Sequence, residues 1–172
     1  MITKYDIIIA CDPDVNKSGV CFLEVATRKL EVSALTFPQL MDYLQFVKKA
    51  GDEMRQSVVC VVEAGWMNAI SNYHTKADRA GQRIAKNVGA NHEVGKKIVE
   101  MAKHYGLEVV EQRPFKKCWK GNDGKITQDE LNEIMQNAGL GQLDKRVSQD
   151  VRDAILMTIL FANLPIRIKA SK

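Results

Sequence analysis

The spacing of apolar residues changes several times along this chain, and each change marks a new element. Tyr5 to Cys11 is a near-continuous apolar run that stops at Asp12-Pro13, the pattern of a central strand buried on both faces of a sheet. Asn16-Lys17-Ser18-Gly19 is a turn signal, and Val20 to Ala26 reads as a second strand. Thr27-Arg28-Lys29 makes a tight polar connection to a third, Leu30 to Phe37. Three strands joined by short turns form an antiparallel meander. From Pro38 the period becomes helical through Leu40, Met41, Leu44, Phe46 and Val47, with Pro38 suited to a first turn, and the helix should end near Gly51. Ser57 to Glu63 is again a compact β run that ends on a carboxylate.

The middle of the chain is harder to read. Gly65 to Asn91 is polar and rich in Lys and Arg, with Trp66 and Tyr73 interspersed. It is expected to be a loop or flexible lobe leading into a helix around Gly89 to Tyr105. Leu107 to Glu111 reads as a fifth strand and Pro114 to Lys125 as a basic connector. Thr127 to Asn137 reads as a helix, with Thr127 as N-cap and Glu130 three residues on. A last helix should begin near Ser148 and run to Leu164, before Pro165 and a basic tail. The order β-β-β-α-β-α-β-α-α, with no repeat or linker, predicts one α/β domain over residues 1–172.

Composition supports that reading. The chain has 172 residues, 45% hydrophobic, with 11 Gly and 4 Pro, enough for one ordinary core and unlike a disordered chain. No apolar run reaches the roughly 18–20 residues of a membrane span, and the N-terminus lacks the pattern of a signal peptide, so a cytoplasmic protein is expected. A net charge of +4 permits a nucleic-acid partner without demanding one. Cys11, Cys21 and Cys60 lie in strand-like runs and, with Cys118, show no metal or disulfide spacing, so they read as reduced core residues. His74, His92 and His104 are scattered and suggest no metal site.

The chemistry lies in the acids. Asp12 ends the first strand and Glu63 the fourth, so the two share a sheet edge if those strands are parallel neighbours, with the intervening helix as crossover. Asp150 and Asp153 are three apart at the start of the last helix and project from one face. Each alone has a plainer reading, as a turn residue, a strand-end surface residue or a helix N-terminal acid. Together they form a cluster that cannot fully ionise without a cation. Oxygen donors suit Mg²⁺ or Mn²⁺ rather than zinc, and two such ions about 4 Å apart support phosphodiester hydrolysis.

At these residues the sequence resembles the RuvC-type Holliday-junction resolvases of the RNase H-like nuclease superfamily. The resemblance is carried by Ile7-Ile8-Ile9-Ala10-Cys11-Asp12-Pro13 with Ser18-Gly19, by Val61-Val62-Glu63, by Val88-Gly89-Ala90-Asn91 and by Asp150-Val151-Arg152-Asp153-Ala154. It implies an RNase H-like mixed five-stranded sheet, three strands antiparallel and two parallel, with helices on both faces. It also implies that Asp12, Glu63, Asp150 and Asp153 are the catalytic and metal-binding set, holding two ions with Asp12 bridging them. Branched DNA as substrate and a homodimer making two symmetric cuts follow from the same resemblance. Gly65 to Lys86 departs from the family pattern.

Two basic groups are candidates for DNA contact. The family carries DNA-contacting lysines between its fifth strand and last helix, where Lys116, Lys117, Lys120 and Lys125 lie here. Such lysines neutralise phosphates and stabilise developing charge. Lys76, Arg79, Arg83 and Lys86 recur at helical spacing and could track a phosphate backbone, with Trp66 or Tyr73 stacking on a base. Their plainer reading is a solvated face with one aromatic in the core. Lys96-Lys97 and the tail residues Arg167, Lys169 and Lys172 read as solvating charge. Asn122-Asp123-Gly124-Lys125-Ile126 with Glu130 mimics half an EF-hand, but Trp119 and Gly121 would fall where oxygen ligands are required. The expectation is therefore a metal-dependent, structure-specific endonuclease acting on four-way junctions. Alternatives are a nuclease for RNA–DNA hybrid, flap or fork DNA, and a non-catalytic junction-binding protein. A sugar-kinase-like phosphotransferase, which normally needs two such domains, fits less well.

Overall fold

The computed structural model describes residues 4–68 and 79–166. Strand β1 (Ile7–Asp12) is followed by β2 (Ser18–Glu24) and β3 (Lys29–Leu35), then helix α1 (Phe37–Met54) and β4 (Val58–Glu63). Helix α2 (Arg79–His104) leads to β5 (Glu108–Gln112), and α3 (Gln128–Asn137) and α4 (Gln149–Phe161) complete the order. The sheet runs β3-β2-β1-β4-β5. β1 and β2, and β2 and β3, pair antiparallel, whereas β1 with β4 and β4 with β5 are parallel. The sheet is thus mixed, three strands antiparallel and two parallel, with helices on both faces, as the resemblance implies.

Strand alternation sorts the core into two layers. Ile8, Ala10, Cys21, Leu23, Val59 and Val61 face α3 and α4. Ile7, Ile9, Cys11, Val20, Cys60 and Val62 face the opposite side, where α1 and α2 pack through Leu40, Leu44, Ile98 and Ala102. β1 and β4 are thus buried on both faces, which is why they read as continuous apolar runs. α4 is the most apolar helix of its layer, with Val151, Ala154, Ile155, Leu156, Met157, Thr158 and Ile159 all buried. Thr158 satisfies its hydroxyl by donating to the Ala154 carbonyl at 2.9 Å.

Four differences from the sequence reading have physical causes. α2 starts at Arg79 instead of near Gly89. Residues 82–87 are all exposed, so that stretch carries no apolar stripe to read, and good helix formers extend the helix without a core beneath it. Ser18 and Gly19, expected in a turn, already pair in β2 opposite Leu35 and Ala34 of β3. α4 stops at Phe161, short of Leu164, because Asn163 adopts a left-handed backbone (φ 54°). Cys118 is exposed, unlike the buried Cys11, Cys21 and Cys60; all four are free thiols. Lys96 and Lys97 pair with Glu93 and Glu100 on the exposed side of α2. Arg167, Lys169 and Lys172 lie outside the described residues.

Candidate active site

The parallel pairing of β1 with β4 sets the site. Cys11 is opposite Val62, so the next residues, Asp12 and Glu63, end adjacent strands at one edge. Ile8 and Ala10 in β1, and Val59 and Val61 in β4, face the α3/α4 layer. By alternation Asp12 and Glu63 face that layer too. The beginning of α4 lies over the same edge. Gly19, the antiparallel partner of Asp12, approaches it so closely that a Cβ there would stand 2.1 Å from the Asp150 carbonyl carbon and 2.4 Å from the Val151 nitrogen. Only glycine allows that contact. Ser148 caps α4 by accepting from the Val151 N–H at 3.4 Å. Arg152 donates to the carbonyls of Ile126 (3.1 Å) and Val147 (2.7 Å), tying the helix to the chain before it. Asp150 and Asp153 are thereby held above the strand ends that carry Asp12 and Glu63.

The four carboxyls are half-buried and all titrate above their ordinary values. Burial is the first cause for Asp12, which is raised strongly, followed by repulsion from Glu63, Asp150, Asp153 and Asp14. Glu63 is pushed up to about 7 by burial and by Asp153, against the opposing pull of Lys117. Burial also raises Asp150, assisted by Asp14 and opposed by Lys125. Asp153 is raised by burial and by Asp150, while Gln149, donating to it at 2.8 Å, and Lys125 act in the other direction. Carboxyls that raise one another's pKa form a set whose ionised state favours a cation. Oxygen-only donors fit a hard divalent ion. Among the described residues no three acidic, histidine or cysteine side chains converge at ligating geometry, so holding an ion requires these side chains to close on it.

Asp14 is an acid that the strand-end logic passed over. It folds the β1–β2 turn by accepting from the N–H groups of Asn16 (2.8 Å) and Lys17 (3.3 Å). Asn91 of α2 donates to its other oxygen at 3.3 Å and accepts from the Val15 N–H at 3.1 Å. The only sequence signal was an Asx-turn pattern two residues past Asp12.

The connector between β5 and α3 folds back over the cluster. Glu63 and Asp153 share a cleft of about 70 Å³ with Lys116, Lys117, Trp119 and Lys125. Lys117 acts electrostatically on Glu63, and Lys125 on Asp150 and Asp153. Lys120 donates its backbone N–H to Glu130, and its charge acts on that carboxylate. Arg83 and Lys86 lie on the exposed first half of α2. Arg79 begins that helix, and Lys76 and Tyr73 lie outside the described residues. Trp66 follows β4 in a 3₁₀ turn (Gly65–Met67) and packs in the α1/α2 layer, edge-on to His92 at 6.3 Å. A larger groove of about 820 Å³, lined by Asp42, Phe46, Lys49, His104 and others, belongs to α1 and the end of α2 and contains none of the four acids.

Fold and site together define an α/β protein with a mixed five-stranded sheet and an acidic cluster at its parallel strand ends. No family model and no curated protein matches the sequence. Among solved structures, the chain is similar to T. thermophilus RuvC in complex with a Holliday junction substrate, at 13% identity and a TM-score of 0.48, over 90% of this chain and 92% of the other. Another structure of Thermus thermophilus RuvC is similar at 15% identity and a TM-score of 0.46, over 90% and 93% of the two chains.

Proposed function

We propose that this chain is a divalent-metal-dependent, structure-specific endodeoxyribonuclease that cuts four-way DNA junctions. The observation that supports it best is that β1, β4 and α4 direct Asp12, Glu63, Asp150 and Asp153 to one edge of one sheet face. Asp12, which feels the charges of Glu63, Asp150 and Asp153, would with those three hold two Mg²⁺ or Mn²⁺ ions. Such ions supply an activated water and stabilise the leaving oxygen of a phosphodiester. Lys117 and Lys125, beside the carboxylates, place positive charge where a scissile phosphate would lie, offsetting the repulsion between DNA and the acids. Lys116 would add to the same phosphate contacts, and Arg83 and Lys86 would extend the basic track along α2. A junction requires two symmetric cuts, so the chain would act as a homodimer.

End-labelled four-way junction, duplex, single strand and RNA–DNA hybrid, each incubated with Mg²⁺, Mn²⁺ or EDTA, test this reading. Paired nicks in the junction alone, abolished by EDTA, are expected. Asp12→Asn and Asp153→Asn should each lower cleavage by at least about 10³-fold, the scale on which a metal-centred step contributes, and leave junction binding within a few-fold. Wild-type cutting by either variant overturns the metal-site assignment. Cutting of hybrid, flap or fork DNA instead would keep the site and change the substrate. Metal-independent binding without cutting would make the chain a junction-binding module.

A further inference from the structure

The lysines at the cleft belong to a loop with little regular structure. Between β5 and α3 it closes on itself only locally: Trp119 N–H donates to the Gly124 carbonyl, and Gly121 N–H to that of Lys125, both at 3.0 Å. Phe115 and Trp119 pack against the α3/α4 core layer. The polar tie to the body is Glu130, in the first turn of α3, whose side chain is only 6% exposed. One of its oxygens accepts from the Thr127 N–H at 3.0 Å and hydroxyl at 2.9 Å, completing a capping box. Capping the helix needs no more than that. Yet both carboxylate oxygens also accept from the Lys120 N–H, at 3.1 and 3.2 Å, ten residues back along the chain. A buried carboxylate satisfied by backbone N–H groups holds its partners firmly. Lys117 and Lys125, the lysines that act on the acids, flank the tied residue on its two sides.

We propose that Glu130 is a positioning residue, a latch that fixes the 116–125 loop to α3 and so keeps Lys117 and Lys125 at the carboxylate cluster. The catalytic half of this inference rests on the nuclease reading above; the latch itself does not. Glu130 does not line the cleft; besides capping α3, it reaches the acids only through the loop. Its loss should therefore slow cleavage far more than it weakens DNA binding, and its effect should vanish once the two lysines it positions are gone.

The test uses the full chain as Glu130→Ala, Lys117→Ala combined with Lys125→Ala, and the triple variant, with Glu130→Gln alongside because it keeps the side-chain volume if alanine unfolds α3. Folding is checked by circular dichroism. Single-turnover cleavage of a four-way junction in Mg²⁺ is compared with junction affinity in EDTA. Backbone hydrogen exchange is followed without DNA. Expected are a rate at least tenfold lower in Glu130→Ala, an affinity within threefold of wild type, and a triple variant within twofold of the variant lacking both lysines. Glu130→Gln should follow with a smaller loss, and amides of residues 116–125 should exchange faster while those of β1 and β4 do not. Multiplying effects in the triple variant, or equal losses of rate and affinity, would overturn the positioning role. Unchanged loop exchange would overturn the latch. A wild-type chain that cuts no substrate would defeat the nuclease reading and the catalytic half with it, and loop exchange would still decide whether Glu130 is the latch.

Discussion

A methyl group on Gly19 would lie 2.1 Å from the carbonyl carbon and 2.3 Å from the carbonyl oxygen of Asp150, so backbone would have to move to admit it. Those atoms belong to the first turn of α4, which carries two of the four acids. Gly19→Ala is expected to destabilise the fold by about 3 kcal/mol, the upper part of the overpacking range, as measured by urea denaturation. It should also lose cleavage under conditions where the variant remains folded, because the shift displaces Asp150 and Asp153. Full activity in folded Gly19→Ala would mean the close approach does not set the site. At this scale the sequence was only partly readable. Asp12 and Glu63 stood out because each terminates an apolar strand, and Asp150 with Asp153 because of helical spacing. Asp14 did not, since a turn acid has no periodicity. Nor could Lys117 be distinguished from Lys116 or Lys120, because a loop places its side chains by hydrogen bonds such as that from Lys120 to Glu130, and these leave no pattern in the chain.

Among the elements, α4 bears most on both stability and chemistry. Ile155 is fully buried, whereas Leu160 is 41% exposed on the same helix. Ile155→Ala should cost about 3 kcal/mol through lost burial and the cavity left behind. Leu160→Ala should stay within about 0.5 kcal/mol of wild type. Equal midpoints for the two variants in a denaturant titration would contradict the packing described. The elements the sequence revealed best, β1, β4 and α4, are those with apolar positions against a core. α2 was half-legible for the same reason: Ile98 and Ala102 pack beneath the sheet, but nothing apolar and periodic marks its exposed first turns. The cleft over the acids was not legible at all, because it forms between a loop, the end of β4 and the first turns of α4, which lie far apart in the chain.

For the whole molecule, the raised carboxyls should make stability depend on pH and, on the nuclease reading, on a divalent ion as well. Glu63 has an ordinary value of 4.5 and is raised to about 7 in the folded chain; Asp12, Asp150 and Asp153 move in the same direction. The folded state then binds more protons than the unfolded one, and the stability this provides is lost as pH rises from about 4.5 through about 7. In EDTA the melting temperature should fall between pH 5 and pH 7.5. Mg²⁺ or Mn²⁺ should restore it at pH 7.5 and do little at pH 5, where protons occupy the same oxygens. Asp153→Asn should flatten both dependences. A melting temperature that rises over this window in EDTA would refute the coupling described for the cluster.

Helix α2 also has a mechanical consequence. A helix of 26 residues is about 39 Å long, and here its second half is gripped by the core while residues 82–87 are exposed. Where it enters the body, Asn91 is bonded to Asp14 and Val15 in the turn that follows Asp12. A rod held in this way is a lever with its fulcrum beside the acids. Over the roughly 18 Å from Asn91 to the helix start, a tilt of about 10° would move the tip by about 3 Å. Torque applied at Arg83 or Lys86 is thus delivered to the β1–β2 turn, and a load on the exposed arm is felt at the strand end that carries Asp12.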